Sequence, residues 1–240
     1  MLYSLYHTSR GNHPVPPLYF PCIAWLLRVV RRLLEHGVDV SEGNGTRCGA
    51  LYVSSRNGNY DVVQLLLDNG ADVNAGYDNS CAPVQVASER CHLAIVKLLL
   101  EHGAKIEANN MAGDSPLIEA SRNGRLDVVR SLLSWEDGVD NANAGSLAEA
   151  IRAASEADDY DTVKALLDEG IDPNASPHGA VGSALEAAVS KEHTEIVKLL
   201  LERGADVSAS IRLAASSVGS STWSENLELR DLILRHDVAE

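Results

Sequence analysis

Cys91-His92 sets a thiol beside an imidazole, the residue types of a base-activated nucleophile. Consecutive residues rarely face each other, and the flanking pattern puts this pair in a turn between two helices, so a structural role is expected. Asp158-Asp159 with Asp161 supplies carboxylates of the kind that hold hard cations. The expected reading is plainer: a solvated turn, then a negative charge in the first turn of a helix. Cys22, Cys48, Cys81 and Cys91 form no C-x-x-C pair and match no zinc spacing. Reduced, structural thiols are expected, as in an intracellular compartment. No P-loop, G-x-G-x-x-G, H-E-x-x-H or G-x-S-x-G segment occurs. The expectation is therefore no enzyme, no catalytic residue, no metal and no cofactor.

The bulk properties narrow the classes further. The 240 residues carry a formal net charge of −14, which argues against general binding to nucleic acid or to anionic membranes. Apolar residues make up 45%, enough to bury a core, but aromatics only 5%, so Leu, Val and Ala must do most of the packing. The N-terminus lacks a basic segment followed by an apolar one. The strongest apolar run, residues 18–27, is broken by Pro21 and closed by Arg28. It falls short of the roughly 20 residues that a membrane span needs. A cytoplasmic or nuclear protein is expected.

The elements that must position any site come from a repeat. Glu35-His36-Gly37-Val38-Asp39-Val40, Asp68-Asn69-Gly70-Ala71-Asp72-Val73 and Glu101-His102-Gly103-Ala104-Lys105-Ile106 recur 33 residues apart. Glu169-Gly170-Ile171-Asp172 and Glu202-Arg203-Gly204-Ala205-Asp206-Val207 follow, 34 residues apart. Apolar blocks with helical spacing precede them, such as Val62-Val63 with Leu65-Leu66-Leu67. A shorter helix, rich in Ser and Ala, begins some 11 residues earlier. The glycine after each long helix suits a left-handed C′ position, and His36 and His102 lie where they can satisfy helix-end carbonyls. One helix pair buries too little to fold alone, and stacking makes the core continuous.

Gly49-Ala50-Leu51-Tyr52-Val53-Ser54-Ser55, then Arg56-Asn57-Gly58, then Gly70-Ala71-Asp72-Val73-Asn74 resembles the ankyrin-repeat motif in worn form. Pro16-Pro17-Leu18-Tyr19, Ala82-Pro83-Val84, Ser115-Pro116-Leu117, Glu149-Ala150-Ile151 and Ser183-Ala184-Leu185 begin comparable helices. The resemblance implies an all-α ankyrin-repeat solenoid of about seven helix–turn–helix units joined by hairpin-like loops. A tail would occupy 1–15 and the repeat domain 16–240, with units starting near 16, 49, 82, 115, 149, 183 and 209, the first and last as caps. No unit keeps the full T-P-L-H, so hydrogen bonds of that motif are expected to be lost. Pro21 falls inside the first inner helix, residues 134–138 lengthen the fourth unit, and a Ser-rich insertion, 216–224, precedes a last helix at 227–234. Glu119 stands where other units have Val53, Val86 or Ala187; a helix rotated so that Ile118 packs instead is expected.

The same resemblance implies that hairpin tips and the exposed side of the inner helices form a concave groove that grips another protein. Carried over by register, the groove positions are Arg56, Asn57, Tyr77, Asp78, Asn79, Glu89, Arg90, Asn110, Met111, Asp114, Arg122, Asn123, Glu156, His178 and Lys191. Arg56, Arg90 and Arg122 recur at almost one place in three consecutive units. They either receive an acidic or phosphorylated segment, or pair with Asp78, Glu89, Asp114 and Glu156 on neighbouring units. Asn74 and Asn174 match hairpin asparagines that the family offers for hydroxylation. The function implied is a protein-interaction scaffold, monomeric on its own, with neither nucleic acid nor membrane as partner. Two alternatives stay open: a groove used as a small-molecule or enzymatic pocket, and the recruiting portion of a larger protein, since Arg235-His236-Asp237-Val238 resembles another repeat ending.

Overall fold

Helices too short to persist alone make up the fold, so tertiary burial must hold them. The structure, a computed structural model, describes residues 16–43, 49–76, 82–106, 114–135, 144–175, 182–208, 211 and 227–236. Among these residues all regular structure is helical. The chain forms two units, Met1–Pro116 and Leu117–Glu240.

In the first unit, α1 (Tyr19–Ile23), α3 (Ala50–Arg56) and α5 (Pro83–Glu89) pack in series as an inner layer. The outer helices α2 (Leu27–Glu35), α4 (Tyr60–Asp68) and α6 (Leu93–Glu101) pack in series behind them. The core lies between the layers: Leu18, Cys22, Val30, Val63, Leu66, Val84, Ala87, Val96 and Leu99 are all essentially inaccessible. Ala87 and Ser88 are fully buried, and side chains this small let two helices approach closely. Pro21 lies in the first turn of α1, where its missing N–H costs no helix bond. That helix reaches only five residues.

α7 (Pro116–Arg122) crosses the boundary between the units. The second unit continues with α8 (Leu126–Leu133), α9 (Ala144–Glu156), α10 (Tyr160–Asp168), α11 (Ala184–Ser190), α12 (Thr194–Glu202) and α13 (Leu227–His236). Here α9 packs on α11 as the inner layer, while α8, α10, α12 and α13 pack in series as the outer one. α9 begins at Ala144, ahead of the Glu149 expected to start it, because Ala144 to Ala148 contain no proline or β-branched residue to stop the helix. α8 ends one residue short of the nine in α4, α6, α10 and α12, as the longer segment after it predicts. The last helix runs two residues past Leu234. Residues 136–143, the insertion 216–224, Cys48 and Cys81 lie outside the described residues.

Each inner helix turns into its outer helix through one left-handed residue: Trp25, Gly58, Cys91, Gly124, Asp158 and Glu192, with φ between 59° and 77°. The backbone N–H after it reaches back to close the turn, as from His92 to the Ala87 carbonyl at 2.9 Å. Glycine takes this conformation without steric cost, so four of the six turns carry strain that a glycine would relieve.

Candidate functional site

The described candidate positions, Asp114 apart, lie where inner helices end, and a side chain from the next turn fixes three such ends. The His92 ring Nε2 is 3.1 Å from the Arg56 carbonyl oxygen, and the His193 Nε2 is 3.1 Å from that of Glu156. Asn59 plays the equivalent role in the preceding turn, donating from Nδ2 to the Cys22 carbonyl. His92 is thus occupied as a strut between turns, which agrees with a structural role for Cys91-His92. Cys91 itself is an exposed free thiol.

In the first unit, Arg56 projects into solvent from the last turn of α3, and its guanidinium forms no ion pair with a described residue. Asn57 beside it is half-buried. Arg90 is exposed, with Nε 3.3 Å from Glu89 Oε1. Both partners are largely solvated, so this pair adds little stability and leaves Arg90 able to exchange partners. The backbone carbonyl of Asp114 accepts from Gln85 Nε2. Gln85 occupies the His place of the T-P-L-H motif, so the worn sequence keeps a hydrogen bond there. Glu186 does likewise in the second unit, accepting from Ser208 Oγ at 2.7 Å.

In the second unit, Arg122 and Asn123 are exposed at the end of α7. Arg122 Nη1 is 3.7 Å from Glu119 Oε1, one turn back on the same helix. Ile118 is buried and Glu119 is only half-buried, so the isoleucine packs and the carboxylate turns to the arginine, as the register anomaly predicted. Glu156 pairs across units of the repeat with Lys191, at 3.7 Å, and along its own helix with Arg152, at 3.0 Å. Arg152 also binds Glu149 at 2.5 Å, and hydrogen bonding to that carboxylate raises the guanidinium pKa above its ordinary value. Sequence reasoning passed over Arg152 and Glu149, although their spacing with Glu156 is that of helical ion pairs.

Tyr77, Asp78, Asn79, Asn110, Met111 and His178 lie outside the described residues. Among the others, Arg90 pairs with Glu89, and Arg122 has Glu119 one turn back on its own helix. Asp159 caps α10, accepting from the Thr162 N–H at 3.2 Å and its hydroxyl at 2.6 Å, and Asp158 pairs with His193. No group of three or more His, Cys, Asp or Glu that could hold a metal occurs among the described residues. The hairpin amides of Asn74 and Asn174 each bridge to the next repeat: Asn174 Oδ1 accepts from the Asp206 N–H at 2.7 Å and its Nδ2 donates to the Gly204 carbonyl at 2.9 Å. No helix among the described residues is long and apolar enough to cross a membrane.

Comparison with known proteins agrees with this architecture. The crystal structure of the human ASB11 ankyrin repeat domain superposes with a TM-score of 0.73 at 24% identity, covering 92% of this chain and 97% of that one. At that identity the likeness concerns the fold. No curated protein sequence gives a significant match. The family pattern described as ankyrin repeats in three copies matches residues 14–77, 75–145 and 141–211, nearly the whole of the described chain. With paired inner and outer helices, left-handed turns between them and Asn-bridged repeats, the chain is a member of the ankyrin-repeat family.

Proposed function

We propose that the chain is a protein-interaction scaffold that docks an acidic or phosphorylated segment of its partner on the ends of its inner helices. Ankyrin repeats generally serve as protein-interaction modules, and that much follows from the family. The finer reading rests on one observation. On a chain with net charge −14, Arg56 stands exposed without an ion-pair partner among the described residues, on a backbone tied down by His92. Arg90 follows it one repeat later, held only by a solvated pair. A guanidinium so placed offers two parallel N–H donors to a carboxylate or phosphate. In the second unit, Arg122, Asn123 and Lys191 hold equivalent register positions and extend the candidate set, with Glu156 already bound to Lys191 and Arg152.

The test is affinity capture of partner proteins by the wild type beside Arg56→Glu/Arg90→Glu and Arg56→Glu/Arg90→Glu/Arg122→Glu, after equal helicity and unfolding midpoints are verified. A protein held by the wild type and lost by the double variant supports the reading; one held equally by all three moves the docking site elsewhere on the scaffold. Capture of no specific protein would count against the scaffold reading itself.

A further inference from the structure

Four asparagines stand directly before a glycine: Asn44, Asn57, Asn69 and Asn123. Such a pair can rearrange without an enzyme. The glycine nitrogen attacks the carbonyl carbon of the asparagine side chain, and a residue without Cβ obstructs that approach least. Asn44-Gly45 lies outside the described residues; the other three pairs follow directly on the ends of α3, α4 and α7. Backbone conformation does not separate the first two of these. Asn57 has φ −91° and ψ −1°, Asn69 has φ −97° and ψ 16°, and the glycines after them have φ 77° and 83°. Closing a five-membered ring needs the Asn Cβ and the glycine nitrogen nearly eclipsed, which neither ψ provides. The turn must open first, and the local ties decide how readily it does.

Those ties differ. Asn69 Nδ2 donates to the Leu65 carbonyl at 2.8 Å, and Asn123 Nδ2 donates to that of Glu119 at 2.8 Å. The Gly70 N–H reaches the Leu67 carbonyl at 3.0 Å, and the Gly124 N–H reaches that of Ser121 at 3.2 Å. In both pairs the amine that must leave and the nitrogen that must attack are held. The Asn57 side chain makes no hydrogen bond to a described residue. The Gly58 N–H lies 3.4 Å from the Ser55 carbonyl, a long and weak contact. Exposure alone would rank the three the other way, since Asn69 and Asn123 are exposed and Asn57 is half-buried. The next repeat shows what a carboxylate at position 57 would meet. Glu89 and Arg90 stand 33 residues after Arg56 and Asn57, and their consecutive side chains pair at 3.3 Å. An acid beside Arg56 would form the same pair with the charges exchanged.

We infer that the fold leaves Asn57-Gly58 open to spontaneous deamidation ahead of Asn69-Gly70 and Asn123-Gly124, and that the carboxylate so formed closes on Arg56 and withdraws it from anionic partners. A bond forms between the Gly58 nitrogen and Asn57 Cγ, and the Cγ–Nδ2 bond breaks. The Gly58 amide proton leaves with the side-chain amine as ammonia. Water then opens the cyclic imide, at the side-chain carbonyl to give aspartate or at the backbone carbonyl to give isoaspartate. Nothing is oxidised or reduced, and either product puts one negative charge where a neutral amide stood. The modification and the new ion pair stand by themselves; only their consequence for docking rests on the reading of Arg56 as a docking residue.

The full chain is held at body temperature in mildly alkaline buffer, with and without urea. Peptide mapping by mass spectrometry follows each asparagine, with isoaspartate separated by retention time. In the folded chain Asn57 is expected to react about tenfold faster than Asn69 and Asn123, whose hydrogen bonds must open first. In urea the three rates should converge, and Asn57→Gln should stay unmodified at that position. Asn69 or Asn123 keeping pace with Asn57 in the folded chain, or the same ranking persisting in urea, would overturn the assignment. The ion pair is read by arginine side-chain nuclear magnetic resonance, once Asn57→Asp and Asn57→Gln are shown to be equally helical. Exchange of the Arg56 Nε–H with water is expected to be about twofold slower in Asn57→Asp than in Asn57→Gln, as for a solvated pair. Equal exchange in the two variants would overturn the closure on Arg56. Neither readout uses a partner, so a failure here is distinct from a failure of the docking reading.

Discussion

His92 Nε2 lies 3.1 Å from the carbonyl oxygen of Arg56, and a Cβ added to Gly58 would come within 2.7 Å of the same ring. One imidazole thus reads both the end of the previous inner helix and the turn that follows it. His92→Ala is expected to cost about 1 kcal/mol, the usual net worth of a hydrogen bond. Gly58→Ala is expected to cost more, because its φ of 77° resists a side chain and the ring stands in the way. The double variant should lose less than the sum, since removing the ring removes the collision. Urea unfolding of all four proteins measures this; strict additivity would show that ring and turn do not meet.

Cys91 and Glu192 hold left-handed turns that glycine fills at Gly58 and Gly124. Cys91→Gly and Glu192→Gly should each raise stability by a few tenths to about 1 kcal/mol, the relief of strain exceeding the added freedom of the unfolded chain. A fall in the thermal midpoint of both variants would contradict this.

The two described thiols should react very differently. Burial pushes the Cys22 pKa up to about 11, although the neighbouring Ser54 acts the other way, whereas Cys91 is exposed. Peptide mapping after brief alkylation near neutral pH should find Cys91 modified and Cys22 intact. Because the folded state holds the Cys22 proton above the ordinary thiol value of 9.0, its contribution is complete below that pH and is lost as pH rises toward 11. Stability should therefore fall more steeply across that window in the wild type than in Cys22→Ala, by at most about 1.4 kcal/mol per pH unit.

The buried hydroxyls of Ser55 and Ser121 find no hydrogen-bond partner among the described residues, while Ser88 and Ser155 donate to the carbonyls of Val84 and Ile151. Ser55→Ala and Ser121→Ala should be neutral or stabilising by up to about 1 kcal/mol; Ser88→Ala and Ser155→Ala should cost a comparable amount. Denaturant melts that rank the four alike would refute the distinction.

Much of this was legible in the residues. The 33-residue spacing fixed the helix pairs, the glycines marked the helix ends, and Ser183-Ala184-Leu185 marked the start of α11, where the structure adds a capping box with Glu186. His36 and His102 reach the carbonyls of Arg32 and Leu98, as their place in the last turn predicts. The extra length of α9 was obscured because register was carried over from units with a proline or glycine at that point. The partners of the inner-helix arginines were also hidden, since a long side chain chooses among acids three residues back or next door by geometry that spacing leaves free.

By itself the sequence determined the repeat, the helical class and the apolar sides of its helices, because these depend on local periodicity and on conformations that only particular residues tolerate. Tertiary structure decided which apolar sides are covered. Val29 and Val62 are the same residue at the same register, yet one is 38% exposed and the other 2%. Burial in a stack is conferred by the neighbouring helix pair, and that neighbour is not written in the residue it covers.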